Sequence, residues 1–215
     1  MDELEEDLSV AKGIFIALEG GEATGKTTTA KVVKERLEAL GYEVVVTREP
    51  GGIPSAEAIR ENIMNFPVDA RTELLLYLSA RREHLVSKVI PALEAGKIVI
   101  TDRFYISSLV YQGYARGIGI DTVRELNDFV CNGVYPDLNI IIDIPVEVSM
   151  ERKQGVDDIN RLDLEGYEFH KKVEEAYRMI HAEGKDNTLM LDGTKDIDTM
   201  IDEVFSVVKG KIDRA

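Results

Sequence analysis

An apolar run, Ile14-Phe15-Ile16-Ala17-Leu18, is followed at once by Glu19-Gly20-Gly21-Glu22-Ala23-Thr24-Gly25-Lys26-Thr27-Thr28. The spacing is Gly-x-x-x-x-Gly-Lys-Thr, set between a strand-like run and a helix-like one. It constrains the fold more than any other stretch. Glycines let a backbone wrap closely round a phosphate. The loop amides, and the helix N-terminus behind them, then face the anion. In such a loop Lys26 reaches the β- and γ-phosphates, and the Thr27 hydroxyl can hold Mg²⁺. A plain Gly-rich turn feeding a helix would not call for the Lys-Thr pair. The candidate ATP-binding residues are Gly20, Gly21, Glu22, Ala23, Thr24, Gly25, Lys26, Thr27 and Thr28.

The rest of the chain alternates strands and helices. Continuous apolar, β-branched runs occur at Ile14–Leu18, Val44–Thr47, Ile98–Thr101, Ile140–Ile144 and Leu189–Leu191. Runs without alternation suit parallel strands covered on both faces. Helices are predicted from the loop to Leu40, from near Ser55, over Ala70–Glu94, from Asp121 to near Gly133, over Leu164–Ala182 and over Ile197–Val208. Gly41 suits the position after the first helix, Pro91 a kink in the third, and Asp121 an N-cap. Alternating βα units predict a three-layer α/β fold, with a central parallel five-stranded sheet flanked by helices. No internal repeat or domain linker is evident, so residues 13–215 are expected to form one domain after an acidic extension at 1–12.

Charge and cysteine content narrow the function. The formal net charge of -14 argues against non-specific binding to nucleic acid or anionic lipid. The first charged residues, Asp2, Glu3, Glu5, Glu6 and Asp7, are the reverse of a secretory signal. No apolar run is long enough to span a bilayer. One cysteine, Cys131, allows neither an internal disulfide nor a multi-cysteine metal cluster, and it reads as a small buried residue. A soluble cytoplasmic protein is expected.

Ligands of such sheets bind at the carboxyl ends of the strands. That rule selects Glu49 in Thr47-Arg48-Glu49-Pro50-Gly51-Gly52, and Asp102 and Arg103 after the third strand. Asp102 reads as an acid holding Mg²⁺ or its water, or as a helix N-cap. Arg103 reads as a phosphate clamp, or as half of a structural ion pair. Glu22 is an acid inside an anion-binding loop, so extra positive charge must come from elsewhere. The polar stretch Glu151–Arg161 joins two helices and reads as a lid at about 152–162. It would bring Arg152 and Arg161 over the phosphates; the alternative is a charged surface turn. Tyr77 and Arg81 share a helix face that suits a flat polar ligand, or an exposed pair. His84, His170 and His181 have no metal-ligand spacing, and Glu174-Glu175 reads as a solvated face.

Three motifs together resemble the thymidylate kinase family over about residues 13–195. They are the loop, Thr47-Arg48-Glu49-Pro50-Gly51-Gly52, and Asp102-Arg103-Phe104-Tyr105-Ile106-Ser107-Ser108-Leu109-Val110-Tyr111-Gln112. The resemblance implies a P-loop NTPase fold and transfer of the γ-phosphoryl of ATP to dTMP, giving dTDP. It implies that Lys26, with Arg103, Asp102 and the lid arginines Arg152 and Arg161, forms the catalytic set, with Mg²⁺ at Thr27 and Asp102. It implies that Arg60 and Arg103 grip the dTMP phosphate, and that Tyr77 stacks on thymine. Arg81 would reach the base O4, Ser108 and Gln112 would lie along the base edge, Ser107 would line the same substrate site, and Glu49 and Tyr111 would lie near the deoxyribose. Family members are commonly homodimers. Ala23 stands where Gly is usual, which should be tolerable only if its φ is negative. The rivals are a nucleoside kinase, which needs a base near the 5′-hydroxyl, and a nucleotide-dependent switch without small-molecule turnover. The pair Arg60 and Arg103 favours a phosphorylated acceptor.

Overall fold

The computed structural model describes residues 13–153 and 165–214. The chain runs β1 (Ile14–Glu19), α1 (Lys26–Ala39), β2 (Val44–Arg48), α2 (Pro54–Asn65), α3 (Ala70–His84), α4 (Ile90–Glu94), β3 (Ile98–Asp102) and α5 (Tyr105–Ser108). It continues with α6 (Ile120–Cys131), β4 (Leu138–Asp143), α7 (Val146–Lys153), α8 (Tyr167–Glu183), β5 (Thr188–Asp192) and α9 (Ile197–Ile212). The five strands pair in parallel in the order β2-β3-β1-β4-β5. β1 lies in the centre, and all six of its residues are buried. Its alternate side chains feed two cores. Phe15 and Ala17 join the layer under α3, α6 and α8, while Ile14, Ile16 and Leu18 join the layer under α1 and α9. This two-sided burial is why the strand sequences read as unbroken apolar runs.

Helix boundaries differ from expectation in instructive ways. Gly41 follows the last turn of α1 with φ 91°, the left-handed geometry that ends a helix there. α6 starts two residues earlier than an Asp121 N-cap predicts. Gly119 is its N-cap, and Asp121 supplies negative charge to the first turn instead of capping. The irregularity before Pro91 is a π-helical turn, Leu85–Val89, between α3 and α4. Pro91 has no N–H to donate, and its ring crowds the carbonyl four residues back. The wider turn accommodates both. A second π turn, Leu109–Ala115, extends α5 and was not foreseen. Glu151, Arg152 and Lys153 belong to α7, so the stretch read as a lid begins inside a helix. Its remainder, with Arg161, lies outside the described residues, as does the extension at 1–12.

The pair Glu174-Glu175 also needs correction. Glu174 is buried, not solvated. Its carboxylate accepts from the Val146 amide, Lys171 and Arg178, and so ties the start of α7 to α8. Cys131 is buried as expected, and burial pushes its thiol up to about 12.

Candidate active site

The phosphate loop spans the gap between the end of β1 and the start of α1. Gly20 passes so close to β4 that a Cβ there would stand 2.4 Å from the Ile142 carbonyl oxygen. Gly25 caps α1 in the left-handed region, with φ 87°. No side chain caps α1, so its first amides remain available to an anion. Lys26 is buried and folds back over the loop. It donates to the Gly21 carbonyl at 2.6 Å, to Gly20 at 3.2 Å and to the Thr24 hydroxyl at 3.0 Å. Burial, reinforced by Arg103, lowers its ammonium to about 8. Ala23 contradicts the expectation set for it: its φ is +54°. A left-handed alanine costs roughly 1–2 kcal/mol, which the loop's fixed ends impose.

Asp102 ends β3 and accepts from the Thr27 hydroxyl. It is not the N-cap of α5, a place taken by Phe104. Thr27 and Asp102 thus bring two hard oxygen donors together beside the loop. Arg103, with φ 71°, turns back across β1. It donates to the Gly20 carbonyl at 2.9 Å and to Glu22 at 2.5 Å, and its guanidinium lies 5.1 Å from the Tyr111 ring centre. Tyr111 also donates to Glu22 at 3.2 Å. Lys153 of α7 stands 3.8 Å from the other Glu22 oxygen. Burial alone would raise the Glu22 carboxyl; Arg103, Lys26 and Lys153 outweigh it and hold the group at about 2.

Beyond Arg103 lies a second cavity, lined by Tyr77, Arg81, Ser107, Ser108, Tyr111 and Gln112 among others. Arg81 is 2% exposed and far from a surface pair. Its Nε donates to Glu49 Oε2 at 2.7 Å, and its Nη1 to Ser108 and Asn127. Gln112 donates to buried Glu73 at 2.9 Å. Tyr77 is half-buried on the wall, and burial beside Glu73 raises its phenol to about 12. Ser107 donates to buried Glu19 at 2.6 Å. Glu19 also accepts from the Phe104 amide and Tyr177, so it fixes the turn carrying Arg103. Sequence reasoning missed Glu19, Asn127 and Tyr177 as supports. An acid closing an otherwise apolar strand was the available signal for Glu19.

The cavity over the loop and the cavity beside Tyr77 share four residues: Glu22, Glu49, Arg60 and Arg103. Arg60 donates to the Pro50 carbonyl at 3.1 Å, which aims it from α2 toward the junction. Every described residue assigned to ATP or acceptor therefore gathers at one edge of the sheet, which Arg152 reaches from α7. Arg152 is exposed, and its contact with the Ala23 carbonyl is long, at 3.5 Å.

A parallel sheet with a phosphate loop after its central strand, and two joined cavities at the strand ends, defines a phosphate-loop nucleotide kinase. The sequence model of the family described as Thymidylate kinase matches residues 18–204. The chain is 48% identical over 196 residues to a thymidylate kinase of Staphylococcus haemolyticus (strain JCSC1435), covering 90% of this chain and 96% of that one. It is 46% identical over 203 residues to one of Clostridium novyi (strain NT), with 92% and 99% covered. It is 44% identical over 207 residues to one of Geobacillus sp. (strain WCH70), with 94% and 99% covered. The chain belongs to the thymidylate kinase family.

Proposed function

We propose that this enzyme transfers the γ-phosphoryl of ATP to dTMP, giving dTDP and ADP. The observation that carries the reading is the junction of two cavities at Glu22, Glu49, Arg60 and Arg103. The triphosphate binds the loop amides and Lys26. The thymine lies between Tyr77, Arg81 and Gln112. The acceptor phosphate meets Arg60 and Arg103, in line with the donor. The chemistry needs no covalent intermediate and no strong base, because the acceptor is already an anion. Its demand is electrostatic: two polyanions must be held together while water is excluded. A nucleoside kinase would need a free carboxylate near the acceptor hydroxyl. At this junction Glu22 is paired with Arg103, and Glu49 with Arg81.

Thr27 and Asp102 fit Mg²⁺, since both offer oxygen and already touch each other. Two protein donors suffice, with phosphate oxygens and water completing the shell. When bound, Mg²⁺ supplies charge neutralisation to the phosphate oxygens. Arg152, and Arg161 outside the described residues, are assigned to the lid on sequence alone. Lys153 joins them as the α7 cation paired with Glu22 of the loop.

We also infer a homodimer. Leu75 of α3, Val86 of the following π turn and Phe129 of α6 are 58%, 47% and 85% exposed. α3 and α6 pack side by side, joined by Arg82 donating to the Val130 carbonyl. An apolar face of this kind suits an isologous contact with a second copy. No helix among the described residues is long and apolar enough to cross a membrane. Action in the cytoplasm, on free nucleotides, fits this reading.

The decisive experiment is an ADP-release assay across the nucleoside monophosphates and thymidine. Turnover should be greatest with dTMP. Turnover of thymidine, or hydrolysis of ATP with no acceptor preference, would overturn the reading.

A further inference from the structure

His84 has no assigned part in the reaction, yet it sits under the second cavity. It follows Arg81 by three residues on α3 and is 0% exposed. Its Nδ1 lies 2.9 Å from Glu49 Oε1, and its Nε2 lies 2.7 Å from the Thr47 hydroxyl. The other oxygen of Glu49 takes Arg81 Nε. One carboxylate therefore joins the imidazole to the guanidinium. A carboxylate held at one oxygen can still rotate; held at both, it cannot. Ser108 and Asn127 take Nη1 of Arg81, and no described residue takes Nη2, while Arg81 lines the cavity. Burial alone would raise the Glu49 carboxyl, but Arg81 and the His84 bond hold it below its ordinary value. Gly52 packs directly on this cluster. A Cβ there would stand 2.4 Å from the Thr47 hydroxyl and 3.1 Å from His84 Nε2.

We propose that His84 is a positioning residue: it locks Glu49, Glu49 locks Arg81, and the fixed guanidinium selects the base. The proposal rests on reading this cavity as the dTMP pocket. Thymine presents a carbonyl oxygen where cytosine presents an amino group. A rigid N–H donor donates to the first and opposes the second. A guanidinium free to tilt would discriminate less.

Three variants test it: His84→Leu, His84→Asn and His84→Gln, each assayed with dTMP, dCMP and ATP. Asn places an amide N–H where Nδ1 stands and keeps the bond to Glu49. Gln places it where Nε2 stands, toward Thr47. For Leu and Gln, KM for dTMP should rise by about tenfold, as for loss of one charge-assisted hydrogen bond. The dTMP-to-dCMP ratio of kcat/KM should fall with it, and KM for ATP should stay within about twofold. Asn should restore most of the ratio. If His84→Leu does not fold, the Asn and Gln pair carries the comparison. Equal ratios in Asn and Gln, or ratios unchanged from wild type, overturn the positioning role alone. Wild-type enzyme that does not prefer dTMP over dCMP overturns the pocket reading and this proposal together.

Discussion

Glu22 of the phosphate loop and Arg103, the residue following β3, form an ion pair at 2.5 Å. One partner belongs to the donor loop and the other to the proposed acceptor clamp. An incoming phosphate must therefore compete with a carboxylate for the same guanidinium. That competition keeps the clamp oriented, and it sets a pH dependence that can be worked out.

The Glu22 carboxyl titrates at about 2 in the folded chain, against an ordinary value of 4.5. Between those values the unfolded chain binds the extra proton, so stability rises with pH. The contribution is fully present above about pH 4.5 and is lost as pH falls through about 2. Glu22→Gln should therefore be less stable than wild type at pH 6, with the gap narrowing by pH 3. Denaturant unfolding at both values checks this. A gap independent of pH would assign the loss to something other than the ion pair.

Lys26 titrates near 8 in the ligand-free loop. At pH 8.5 a large share of it is neutral. A triphosphate placed on the loop favours the ammonium, so ATP binding at that pH should take up a proton. Calorimetry in buffers of different ionisation enthalpy measures the uptake. It should vanish in Lys26→Ala, which should also lose most turnover while still binding dTMP. Near-normal kcat in that variant would remove Lys26 from the donor site.

Glu174→Ala should destabilise the fold, although Glu174 has no assigned part in binding ATP or the acceptor. It strands the Val146 amide and withdraws a buried partner from Arg178. The loss expected is about 1–3 kcal/mol. Thermal unfolding of the variant, with Glu175→Ala as the exposed control, reads it directly. Equal effects at the two positions would mean that Glu174 is solvated after all.

If the proposed homodimer uses this face, Phe129→Glu should give a monomer without unfolding it, because the ring is 85% exposed in the single chain. Analytical ultracentrifugation gives the mass, and circular dichroism checks the fold. A dimer that persists in the variant would place the contact on another face.

Local patterns determined much of this protein. The phosphate loop is legible because its glycines, Lys26 and Thr27 act within one turn of chain. The inner strands β1, β3 and β4 are legible because burial on both faces leaves an unbroken apolar run. The carboxyl-edge rule then selects Glu49, Asp102 and Arg103, since sheet direction alone fixes which ends carry ligands. What the sequence could not show is set by partners far away along the chain. Glu174 looks solvated until α7 brings the Val146 amide to it. His84 reads as a structural or surface residue until β2 and the turn after it set Thr47 and Glu49 against its two nitrogens. Ala23 looks compatible only with negative φ until the closure between β1 and α1 forces it to +54°. In each case a hydrogen-bonding group buried by tertiary packing, or a backbone held at both ends, must accept the geometry its neighbours impose. Those neighbours are brought close only when the sheet closes.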